Sequence, residues 1–243
     1  MTTEMENLAE KKVGRIVADN FRTAQVFSQY GIDFCCKGGI TLKAACELNG
    51  ASVASVLSDL EKTMTTPEEV HFKDFGMTDL IDYIVDTHHK YVEKTIPALK
   101  AYLQKLEHVH GDRHPELFEI RRLFFEAADA LTIHMKKEEL ILFPYIKAME
   151  EAQKSHFPLS KPHFGHIENP IHMMEDDHAG EGERFRIISE LSHGYTPPKD
   201  GCQTYRVAFA MLEEFEYDLH THIHLENNIL FPKALEAFEL LNS

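Results

Sequence analysis

Eleven consecutive positions of this sequence follow one pattern twice. Residues 134–144, HMKKEELILFP, and residues 222–232, HIHLENNILFP, share the form H-x-x-x-E-x-x-I-L-F-P at an offset of 88. A helix stacks side chains four apart on one face. Each copy therefore sets an imidazole beside a carboxylate: His134 with Glu138, and His222 with Glu226. The residues around them say where these pairs point. Stepping by three or four from His134 meets Leu131, Glu138, then Ile141 or Leu142, and Tyr145; from His222 it meets Leu219, Glu226, and Ile229 or Leu230. Such a row on an amphipathic helix faces the core, where a carboxylate is costly unless it is paired or binds a metal. A single core histidine is usually just a hydrogen-bonded core residue. An exposed His/Glu pair would be a surface ion pair worth about 0.5 kcal/mol. Neither accounts for the same expensive pair twice, in register. A shared metal site does.

The elements that must position these pairs are helical. Thr78 starts a long helix with Asp79 and Asp82 in its first turn, where the dipole favours acids. Pro97 should kink it, and it runs on to about Val109. Pro115 opens a second helix that reaches about Gln153 and holds the first H-x-x-x-E copy. After a long loop over 155–168, Asn169-Pro170 starts a third, ending near Gly194. The turn Tyr195-Thr196-Pro197-Pro198-Lys199-Asp200-Gly201 leads to a fourth, about Gln203 to Leu240, with the second copy. Residues 78–243 thus read as a four-helix bundle, an architecture whose facing helices build metal sites in the core. They also form a two-fold repeat of about 90 residues.

The third and fourth imidazoles come from this repeat. His88 and His178 stand 90 positions apart, each before an H-x-x-x-E helix. Periodicity chooses His88 over His89: His88 shares a row with Ile81, Val85 and Val92, whereas His89 falls with Asp82, Asp86 and Glu93. The expected ligands are then His88, His134, Glu138, His178, His222 and Glu226. Imidazoles and carboxylates without thiolate suit iron, manganese or zinc. Two carboxylates that bridge a pair of ions would leave roughly one open position on each for a small ligand.

Residues 1–62 read as a small helical domain, too short to bury much core alone, and residues 63–77 as a linker. The domain carries Val13, Ile16, Val17, Phe21, Ala24 and Phe27 at helical spacing, a stop at Gly31, and the loop Asp33-Phe34-Cys35-Cys36-Lys37-Gly38-Gly39. A disulfide between neighbouring cysteines is strained. Cys35 and Cys36 are either a redox-active, iron-handling pair, helped by a helix start near Thr41 that lowers a thiol pKa, or two small core fillers. Cys46 falls on an apolar helix face. Cys202, just before the fourth helix, is left undecided.

Composition limits the function classes. With 25 basic and 40 acidic residues the net charge is −15, a surface that repels nucleic acid. No apolar run approaches the ~18 residues of a membrane span. The N-terminus lacks the apolar core of a signal peptide, and four cysteines do not make a secreted disulfide framework. A cytoplasmic protein is the expectation.

Together, the Asp33-Phe34-Cys35-Cys36 loop, the two H-x-x-x-E-x-x-I-L-F-P phrases, and the Thr196-Pro197-Pro198 turn with Cys202 and Arg206 resemble the repair-of-iron-centres proteins of the YtfE/ScdA type. The resemblance covers almost the whole chain. It implies an all-α protein: a hemerythrin-like four-helix bundle behind a small N-terminal helical domain. It also implies two iron ions, oxo- or hydroxo-bridged, held by the same six residues that periodicity selects. Oxygen-carrying hemerythrins differ, with two histidines four apart on the third helix; here Gly182 follows His178 at that spacing. The implied function is repair of iron–sulfur clusters damaged by nitrosative or oxidative stress, by donating iron to damaged iron–sulfur proteins. Nitric oxide or oxygen would be the small ligand, and the chain a homodimer. A gas-binding sensor and a nitric oxide-reducing enzyme stay open as alternatives.

Overall fold

The computed structural model describes residues 8–65, 71–155 and 159–242. Residues 66–70 of the expected linker and 156–158 of the expected long loop lie outside these. Apart from one isolated bridge, Lys12 with Thr41, the regular elements among the described residues are helical. The chain divides into two compact units, Met1–Leu80 with Ile223–Ser243, and Ile81–His222.

The N-terminal part of the first unit holds α1 (Val13–Asp19), α2 (Thr23–Gln29), α3 (Leu42–Leu48) and α4 (Val53–Met64). One helix expected across α1 and α2 is broken at Asn20, whose backbone is extended. The Asn20 side chain accepts from the Arg22 N–H at 3.1 Å and its carbonyl from the Thr23 hydroxyl at 2.7 Å. A short polar side chain that bonds nearby backbone competes with helix in this way. Gly31 ends α2 as expected, at φ +64°. Thr41 and Ser52 cap α3 and α4. Val13, Ile16, Val17, Phe27, Leu42, Cys46, Val56 and Leu60 form the buried interior.

Four helical runs follow. The first is α5 (Met77–Ile84) and α6 (Lys90–His110); the second, α7 (Glu116–Lys137) and α8 (Phe143–Ser155). The third is α9 (Glu168–Leu191), and the fourth, α10 (Gln203–Leu225) and α11 (Phe231–Asn242). Pro97 sits inside α6 without ending it. Phe124 of α7, Phe185 of α9 and Phe215 of α10 pack ring against ring at 5.4–6.4 Å in the second unit's core.

Each interrupted run is joined by one wide π turn of five residues: Val85–His89, Glu138–Leu142 and Glu226–Leu230. Such turns hold one residue more than an α-helical turn and are common at functional sites. Two of them directly precede Phe-Pro. Pro144 and Pro232 have no N–H to donate, and in a regular helix their rings would meet the carbonyls of Leu140 and Asn228. Widening the turn relieves that clash. No proline stands near Val85–His89.

Candidate metal centre

The first motif pair behaves as its spacing requires. His134 Nε2 lies 3.3 Å from Glu138 Oε1, one turn along the same run. From α9, His178 brings its Nε2 to 3.0 Å from His134 Nε2. On the other side of the same carboxylate, Glu138 Oε2 is 3.4 Å from His89 Nε2, which is 3.2 Å from His222 Nε2. Donor atoms of His134, Glu138 and His178 thus gather within 4.8 Å, as do those of His89, Glu138 and His222. Glu138 belongs to both sets, one oxygen facing each. All five side chains are buried, Glu138 with no exposed surface. Glu226, equally buried, stands one turn past His222 on the same run.

One expectation is corrected. Periodicity placed His88 on the ligand face and His89 on the wet side, yet both are buried and His89 is the one among the donors. The cause is the π turn: an extra residue between Val85 and His89 shifts the register on which a 3.6-residue reading depends. His88 instead directs Nδ1 to Asp218 Oδ1 at 2.8 Å and stacks on His222 with ring centroids 5.7 Å apart. Its Nε2 is buried and meets no hydrogen-bond partner among the described residues. With His89, the spacing to His178 becomes 89, close to the 88 of the motif pair.

The apolar stripe is also re-sorted. Leu142 and Phe143 enter the core while Leu140 and Ile141 are exposed; in the second copy Ile229, Leu230 and Phe231 are all buried.

Carboxylates behind the imidazoles, absent from the sequence reading, fix their orientation. Glu139 Oε1 takes the Nδ1 of His89 at 2.6 Å, and Asp177 Oδ2 takes that of His134 at 3.3 Å and Lys137 Nζ at 3.0 Å. Burial works against the Asp177 charge, but the bonds from Lys137 and His134 more than offset it and hold its carboxyl below the usual range. The available signal was adjacency, since Glu139 follows Glu138 and Asp177 precedes His178. When Nδ1–H donates to a carboxylate, the Nε2 of a neutral imidazole carries a lone pair. At His89 that lone pair faces a carboxylate oxygen at 3.4 Å, with both side chains buried. Acceptor facing acceptor away from bulk solvent calls for a cation, so the donor set fits a metal ion. Glu181, one turn from His178, is buried and its carboxyl is pushed up to about 7 by that burial, against the pull of Arg184.

The Cys35-Cys36 loop of the first unit forms a separate cluster. Asp33 Oδ1 accepts from the backbone N–H groups of Cys35 and Cys36 at 3.1 and 2.9 Å and lies 3.3 Å from Cys35 Sγ. The two sulfurs lie 3.6 Å apart and are not joined in a disulfide. Burial pushes the Cys35 thiol well up, with Cys36 and Asp33 adding to it. That is opposite to the lowered thiol that a helix start was expected to give. The side-chain amides of Asn227 and Asn228 donate to the loop carbonyls, Asn227 to Cys35 at 3.4 Å and Asn228 to Phe34 at 3.3 Å. Room for Asn228 comes from Gly14, where a Cβ would lie 2.0 Å from the amide oxygen. His224, between the rings of Phe21 and Phe34, is fully buried and its pKa is pushed down to about 3 by that burial. Cys46 is buried in the core, as its helix face suggested.

Comparison with known proteins agrees with this architecture. Residues 80–234 match the hemerythrin HHE cation binding domain family, and residues 9–64 a domain of unknown function (DUF542). The iron-sulfur cluster repair protein YtfE of Musicola paradisiaca is 34% identical over 94% of this chain and 97% of its own. A probable iron-sulfur cluster repair protein of Haemophilus influenzae is 30% identical over 94% and 98%. ScdA of Staphylococcus haemolyticus, also named as an iron-sulfur cluster repair protein, is 29% identical over 92% and 97%. An all-α bundle with buried imidazole–carboxylate clusters, in a chain matched nearly end to end by these relatives, belongs to the iron–sulfur cluster repair family typified by YtfE and ScdA.

Proposed function

We propose that the chain holds two iron ions and repairs stress-damaged iron–sulfur clusters by donating iron. The ligands in this reading are His89, His134, His178, His222 and Glu138, with Glu226 as the second shared carboxylate because it repeats Glu138 at the same spacing from its histidine. The observation that carries it is Glu138, whose two oxygens face two different imidazole pairs in the buried core. The relatives' names support the repair role, and the donor set supports iron. Iron held there would supply an exchangeable store and open positions for a diatomic ligand such as nitric oxide or oxygen. The chain's own part is to hold the imidazoles in one tautomer through Glu139 and Asp177 and to keep bulk water out. A damaged iron–sulfur protein in the cytoplasm is the client.

Elemental analysis of protein purified from iron-supplied cells tests this. Two irons per chain are expected, falling below one in Glu138→Ala, with iron passing to an apo-cluster protein only from the wild type. Retention of both irons in Glu138→Ala would refute the ligand assignment. Two stable irons that never leave for an apo-cluster acceptor would refute the donor role.

A further inference from the structure

A second reactive group sits at the far end of the bundle. His89 precedes α6 and His110 ends it, 21 residues apart, and Cys202 precedes α10 with His222 20 residues further along that helix, so roughly 30 Å of helix separates this end from the metal ligands. There His110, buried on α6, brings its Nε2 to 3.3 Å from Cys202 Sγ. Cys202 is exposed, unlike buried Cys35 and Cys46. It occupies the position before α10, where its thiol is held below the ordinary range by the backbone N–H of Tyr205 and, after it, by Thr204.

The protonation of the pair follows from its outer partner. An Arg113 guanidinium nitrogen lies 3.3 Å from His110 Nδ1, and a guanidinium can only donate. Nδ1 is therefore the acceptor, and the ring proton sits on Nε2, facing the sulfur. Asp200 fixes Arg113 at 2.8 Å and is itself held by His114 at 3.0 Å. The sulfur thus meets N–H donors from the imidazole and the helix start, an environment built for a thiolate rather than a thiol. A plain helix cap needs only a Ser, Thr, Asp or Asn and no buried imidazole.

We propose that Cys202, paired with His110, is a modification site at which a thiolate attacks low-molecular-weight disulfides. In the step, Cys202 Sγ forms a bond to one sulfur of the disulfide, the old sulfur–sulfur bond breaks, and its electron pair leaves on the released thiolate. That thiolate takes a proton from water; the Cys202 proton has already gone to solvent, and His110 keeps its own. The disulfide is reduced to one mixed disulfide and one thiol, and the protein thiol supplies the two electrons.

The test treats the full-length protein with glutathione disulfide at neutral pH and follows each cysteine by peptide mass. A synthetic peptide of residues 197–207 gives the unassisted rate. Cys202 should react about fivefold faster than the peptide, the gain in thiolate outweighing its lower intrinsic nucleophilicity. Arg113→Leu, a change at an exposed side chain, should bring the rate most of the way down to the peptide's, and His110→Leu all the way if that variant folds. A wild-type rate no faster than the peptide's, or an Arg113→Leu rate equal to wild type, overturns the proposal.

Discussion

At the residue scale, the choice between two neighbouring histidines sets the chemistry. His89 meets Glu138 and His222 with one nitrogen and Glu139 with the other, whereas His88 is turned to Asp218. His89→Ala should therefore cost at least one iron per chain in elemental analysis, while His88→Ala should keep both. Glu139 contributes no atom to either donor set, yet it fixes the tautomer of His89. Losing such a partner costs about 10–100-fold in metal affinity, so Glu139→Gln should release iron to a chelator at least tenfold more readily, with the fold unchanged by circular dichroism. Equal chelator resistance would mean that Glu139 does not orient the ring.

At the element scale, helix ends and kinks leave measurable traces. Glu216 on α10 has its carboxyl pushed up to about 7, chiefly by burial, with Tyr195 opposing and Glu213 adding to it. A raised acid is neutral in the folded chain but charged in the unfolded one between the ordinary value of 4.5 and about 7. Its stabilising contribution is complete below 4.5 and fades as pH rises through 7. Glu216→Gln should remove that part of the slope, so the variant gains on the wild type at pH 7.5 and not at pH 4, read by denaturant midpoints. Most of the helices were legible for a simple reason: apolar rows at 3.6 spacing, a proline start at 115, and glycine stops at 31 and 194. The start read at Asn169-Pro170 falls at Glu168, with Pro170 inside the first turn. What escaped was the local departure from that period. A 3.6-residue wheel cannot rank His88 against His89 when an added residue sits in their own turn, nor show that Ile141 faces out while Ile229 faces in. The orienting acids Glu139, Asp177 and Asp218 also escaped, because what makes them matter is a contact between elements, not a spacing within one.

At the scale of the whole molecule, the first helices and the last are one body. Residues before Leu80 share a compact unit with Ile223–Ser243, and Phe21 and Phe34 lie against His224 at ring distances of 6.0 and 5.8 Å. Removing residues 1–62 would bare this aromatic contact. Burying an aromatic side chain contributes about 2 kcal/mol, so the shortened chain should unfold about 4–8 °C lower in a thermal scan. An unchanged midpoint would make the N-terminal helices a detachable module. Among the described residues no helix is long and apolar enough to cross a membrane.

The turn Glu226–Leu230 serves two masters. Glu226 opens it, and the next two side chains, Asn227 and Asn228, grip the carbonyls of the cysteine loop. Were its surplus residue to slip out along the helix, Glu226 would swing by about 100°, and both amides would let go in the same motion. Carboxylate and thiols are geared to a single five-residue cog, so whatever winds or unwinds that cog must disturb the two together.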